Sequence, residues 1–186
     1  MEKICFDANV DLEKKSYDIG LNDFKSCTDQ ELLIDRFKDH NMRFSLLIIR
    51  NIACEKKDYD YIKFLDMVID SMTQEISLLN SSVKNGSIKE VLDKFSFHEK
   101  VNIIFYVRPN FYDSNFDTYE ILDNKTFKIL SENIIDCAND ILSLYGKSLK
   151  EIHDMNALDV HKLINDRELC VDILFASELV GGKLNA

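Results

Sequence analysis

Proline occurs once in this chain of 186 residues, and glycine five times. Sheets and long loops draw on both for their turns, so the shortage favours helices. Positive charge is also short. Lys and Arg number 23 against 33 Asp and Glu, which leaves a formal net charge of −10 and a pI near 4.9. Such a chain is repelled by phosphate backbones and anionic lipid, so neither nucleic acid nor membrane is an expected partner. Basic patches with interleaved aromatics, the nucleic-acid signature, are absent. The five cysteines (5, 27, 54, 137 and 170) form no CxxC pair and are odd in number. No disulfide framework is expected, and reduced thiols in the cytoplasm or nucleus fit best. No uninterrupted apolar run reaches the ~18 residues that a membrane span needs. Residues 1–20 mix Asp and Glu with the apolar positions, so no signal peptide is expected. The stretch "LCVDILFASELV" (169–180) is short and holds Asp172 and Glu178, so no tail anchor is expected either.

Catalytic motifs are missing as well. There is no GxxxxGK[ST], no GxGxxG and no HExxH. His40, His98, His153 and His161 are scattered, and a metal site would need a third ligand that the spacing does not supply. Cys137 with His161 could form a nucleophile pair, but Cys137 lies on an apolar helical stripe, where a buried structural cysteine is the plainer expectation. Asp66/Asp70 and Asp136/Asp140 stand at i, i+4 on polar faces and read as solvated charge. No catalytic residue, metal or cofactor is therefore expected, and the chain reads as a non-enzyme.

What is present is a large apolar fraction, 46 %, enough for a core in one domain. Residues 1–25 read as an irregular N-terminal arm, with a strand conceivable at "KICFDANV". Residues 26–180 read as a single helical domain, and 181–186 as a frayed tail. "TDQELLIDRF" carries Thr28 and Glu31 at capping-box spacing, starting a helix over 29–36. "NMRFSLLIIRNIAC" (41–54) is a second helical piece or a continuation of the first. In "DYDYIKFLDMVIDSMTQEISLL" (58–79), Ile62, Leu65, Ile69, Met72, Ile76 and Leu79 keep a 3-4 spacing, and Tyr61, Phe64 and Val68 widen the face. Such a helix must be wrapped by others. "NSSVKNGS" (80–87) reads as a loop turning on Asn-Gly. Ser87 with Glu90 caps a helix running to about Val107, with a strand as the rival for "VNIIFYV". "RPNFYDSNFD" (108–117) reads as a loop. A second wide-faced helix starts near Thr118 or Asn124, runs to Tyr145 and stops at Gly146. "SLKEIHDM", "ALDVHKLI" capped by Asn156, and "RELCVDILFASELV" complete about seven helices.

Two stretches carry a resemblance. "YIKFLDMVIDSMTQEI" (61–76) and "SENIIDCANDILSLYG" (131–146) are similar to segments of the poxvirus Bcl-2-like family of immune modulators. The similarity rests on Phe64-Leu65-Asp66, Gln74-Glu75-Ile76, Glu132-Asn133-Ile134 and Asn139-Asp140-Ile141, and spans roughly 44–146. The resemblance implies an all-α, compact Bcl-2-like helical bundle around a central apolar helix. It also implies a non-enzymatic viral modulator of host innate immune signalling, in the NF-κB pathway, acting from the host cytoplasm or nucleus by binding a host signalling protein. The β-TrCP ubiquitin-ligase receptor is one such partner. It reads Asp-Ser-Gly, an apolar residue, any residue, then Ser, with both serines phosphorylated. In "YDIGLND" (17–23), Asp18, Gly20 and Leu21 fit, and Asp23 supplies charge at the second phosphoserine position. Ile19 replaces the first phosphoserine and supplies neither charge nor acceptors. A different class of function also fits a small, acidic helical chain: a bacterial immunity protein or antitoxin that covers a basic toxin site.

Overall fold

The computed structural model describes the backbone of residues 2–40, 43–107 and 122–180, and the side chains of 14–39, 45–105 and 122–180. The described residues are all-helical, with ten helices and no strand. Contacts gather in two compact units, one built up to Glu75 and the other from Ile76 onward, with the boundary inside one long helix. The sequence expectation was one domain over 26–180 preceded by an arm.

In the first unit, α1 (Glu2–Ser26) is a continuous helix, and this corrects the irregular arm and its conceivable strand. Its isolated apolar residues are enough because their partners lie in distant helices. The Tyr17 ring meets Tyr61 edge-on at 5.6 Å, and the Phe24 ring lies 5.1 Å from that of Phe64. The Tyr17 hydroxyl donates to the Asp58 carboxylate. Helix α2 (Gln30–His40) is capped by Asp29, whose Oδ1 accepts from the Leu32 N–H at 3.1 Å; the Thr28/Glu31 box is not the cap. Helix α3 (Arg43–Lys56) packs on α1. A left-handed Lys57, φ 60°, turns the chain into α4 (Tyr59–Asn85). Tyr61, Phe64, Leu65, Val68, Ile69 and Met72 of α4 are all buried. Phe37 of α2 stands edge-on to Phe64 at 5.0 Å. Ion pairs tie the polar flank of α4 to its neighbours: Lys38 to Glu75 at 2.6 Å, and Arg50 to Asp66 at 2.5 and 3.2 Å.

The second unit begins with the end of α4, which extends six residues past the expected stop at Leu79. The supposed loop continues as helix because its polar residues are satisfied there. The Ser81 and Ser82 hydroxyls donate back to carbonyls of the preceding turn, and Asn80 Oδ1 accepts from the Asp123 N–H at 2.9 Å. The helix ends at Gly86, whose φ of 83° suits glycine. Ser87 makes no side-chain cap, and α5 (Ile88–Leu92) is short. The chain restarts at Ser96, whose hydroxyl accepts from the Glu99 N–H while Glu99 Oε2 accepts from the Ser96 N–H. That reciprocal pair opens α6 (Phe97–Val107), so "VNIIFYV" is helical. Helix α7 (Asn124–Ser143) buries Leu130, Ile134, Ala138 and Leu142 in one stripe. Then follow α8 (Leu149–Asp154), α9 (Ala157–Leu163) and α10 (Arg167–Val180), with α10 packing on α6, α7, α8 and α9. The Phe105 and Phe175 rings join α6 to α10 at 5.7 Å. The expected loop 108–117 and tail 181–186 lie outside the described residues.

Caps set the short helices of this unit. Ser148 and Glu151 form a reciprocal box, and the backbone hydrogen bond from Ser148 holds the Glu151 carboxyl below its ordinary range. Asn156 Oδ1 accepts from the Asp159 N–H at 2.9 Å. Asn156→Ala should therefore lower stability by about 1 kcal/mol, read as a shifted urea midpoint with unchanged slope.

Candidate functional site

The first unit carries an aromatic cluster in which Tyr17, Phe24, Phe37, Tyr61 and Phe64 meet ring to ring. Helical spacing sends Tyr61 and Phe64 to one side of α4, and α1 and α2 close on them from two directions. Beside the cluster lies a cleft of about 380 Å³, lined by Phe24, Gln30, Asp60, Lys63, Phe64 and Met67. Phe24 and Phe64 of the cluster border it, together with polar side chains. Its rim carries one negative and one positive side chain a helical turn apart on α4. Met67, 40 % exposed, is unbranched and adaptable, as residues of binding faces often are. Sequence spacing could not find this cleft, because Phe24 and Gln30 reach it from α1 and the start of α2.

Tyr61 is unusual within the cluster. Its hydroxyl is buried with no hydrogen-bond partner among the described residues. Burial, with a smaller contribution from the Asp23 charge, pushes its pKa above the ordinary tyrosine range. Gly20 explains the fit: a Cβ built there would stand 2.5 Å from Tyr61 Oη and 3.1 Å from Phe37.

The four partner-binding candidates, Asp18, Gly20, Leu21 and Asp23, all lie within α1. At ~100° per residue, Asp18 and Leu21 share one side, while Gly20 and Asp23 share roughly the other. Asp18 and Asp23 are exposed, Leu21 is half-buried and Gly20 is buried. Asp18 also pairs with Lys56 of α3 at 3.8 Å. The helix therefore does not bring the four together as a linear motif.

The remaining candidates separate in the same way. Asp66 is held by Arg50, while Asp70, Asp136 and Asp140 are exposed. Cys137 contacts Lys100 and Asn133, and His161 is exposed on α9. Burial raises the Cys170 thiol above its ordinary pKa. His98 was one of four scattered histidines in the sequence. Here its Nδ1 stands 2.7 Å from Oδ2 of the buried Asp172, and its Nε2 stands 3.0 Å from the Asn102 amide nitrogen. The pair is 74 residues apart in sequence and joins α6 to α10. Among the described residues no group of three or more His, Cys, Asp or Glu is placed to hold a metal ion. No helix among them is long and apolar enough to cross a membrane.

With this geometry in view, comparison with known proteins adds no relative: no family model, no curated protein and no solved structure matches the chain.

Proposed function

We propose that the chain is a non-enzymatic viral modulator of host innate immune signalling, which acts on the NF-κB pathway by protein–protein binding. The observation that supports a binding role is the cleft, where the edge of the aromatic cluster meets an exposed methionine and two opposite charges. The pathway, the host cytoplasm or nucleus as the location, and the Bcl-2-like arrangement of the helices come from the resemblance over 44–146, and all three belong to the proposal. The all-α architecture is what that arrangement requires.

The cleft, and not the 17–23 segment, is the contact surface in this reading. A receptor that reads an extended motif would need α1 unwound there, with Gly20 pulled away from Tyr61 and Phe37. Capture by purified β-TrCP tests both surfaces together. Met67→Glu places a charge in the cleft and should weaken capture about tenfold or more, ~1.4 kcal/mol. Asp18→Ala with Asp23→Ala changes exposed residues only and should leave capture within about twofold, ~0.4 kcal/mol. The opposite pattern moves the contact to α1. Absence of capture by the wild type removes this receptor as the partner.

The net charge of −10 favours a second reading, an immunity protein or antitoxin that covers a basic toxin site. Genes flanking the coding sequence decide between the two, since a toxin gene beside it supports the second.

A further inference from the structure

Lys100 on α6 is only 6 % exposed. A buried ammonium is normally neutralised by a carboxylate. Among the described residues no carboxylate pairs with it, and its hydrogen-bond partner is the sulfur of Cys137 on α7, 3.8 Å away. The thiol is oriented: its S–H donates to Asn133 Oδ1, one turn back on α7, which leaves the sulfur lone pairs toward the lysine nitrogen. Cys137 is half-buried, so a small oxidant can reach it, unlike the buried Cys170.

We propose that Lys100 and Cys137 form an oxidative modification site, in which a peroxide joins them through a sulfur–nitrogen bond. The peroxide oxidises the thiol to a sulfenic acid and is itself reduced to water. The Lys100 side chain gives up a proton to water, and its nitrogen attacks the sulfur. The S–O bond breaks, hydroxide leaves, and it takes a proton from the nitrogen to depart as water. The product is an S–N link and the chain has lost two hydrogens. A thiol reductant attacks the sulfur and returns both side chains. The bond ties α6 to α7 within one unit, and the reaction is independent of the cleft and its partner.

The test is hydrogen peroxide treatment of the full chain, followed by proteolysis and mass spectrometry. The expected result is a joined species containing the Lys100 and Cys137 peptides, lighter than their sum by two hydrogens, that separates on treatment with dithiothreitol. Lys100→Arg should abolish the joined species and raise labelling of Cys137 by a sulfenic-acid trap several-fold. The peptide map of the wild type decides the matter even if that variant folds poorly. Any of three findings overturns the proposal: a Cys137 that survives peroxide unchanged, a disulfide from Cys137 to another cysteine, or trap labelling of the wild type equal to that of Lys100→Arg with no joined peptide.

Discussion

Leu65→Ala should cost about 3 kcal/mol of stability, within the ~2–5 kcal/mol range for emptying a packed site. Leu65 has no exposed surface and lies on the stripe of α4 between Tyr61 and Ile69. Removing its branched end leaves a cavity among the other fully buried residues of that stripe. Ile134→Ala makes the same test in the other unit, at the centre of the α7 stripe, and should cost a similar amount. Leu144→Ala is the control. That leucine is 86 % exposed and should change stability by less than ~0.5 kcal/mol. Urea unfolding of the three variants measures all of this. Equal effects at Leu65 and Leu144 would mean that the stripes are not the core.

Gly20→Ala is expected to destabilise by about 2 kcal/mol, although alanine is the better helix former by ~1 kcal/mol. The new methyl would press on Tyr61 Oη at 2.5 Å, a hydroxyl boxed in by neighbouring rings. Tyr61→Phe removes an unpaired buried oxygen, so alone it should be neutral or stabilise by up to ~1 kcal/mol. In the double variant the clash with oxygen is gone, and most of the loss should return, with a coupling of about 1–2 kcal/mol. Additive effects would place the Gly20 constraint elsewhere, on Phe37.

Those two sites also show what the sequence made legible. The stripes of α4 and α7 are readable because apolar residues recur at three and four, and α10 follows the stretch that its flanking residues mark. The resemblance drew on the same two helices. Helix α1 is not readable in this way. Its apolar residues are separated by charges, and their value lies in rings 40 or more residues away, as with Tyr17 and Tyr61. The end of α4 misled because Asn80, Ser81 and Ser82 are loop formers by local chemistry, yet serines can bond back into a helix and Asn80 finds Asp123. Ser96 with Glu99 had the spacing of a start signal that was there to be read. The cleft had none, since its walls come from three helices, and the His98–Asp172 pair joins two helices across 74 residues.

The cleft carries the functional proposal, and Met67 is the point at which to test it. An NF-κB reporter in cells expressing the wild type or Met67→Glu, with the thermal midpoint of each purified protein recorded alongside, separates binding from folding. The account predicts inhibition by the wild type, loss of inhibition by Met67→Glu and near-equal midpoints. A wild type that leaves the reporter untouched contradicts it, and so does a folded Met67→Glu that inhibits as well as the wild type.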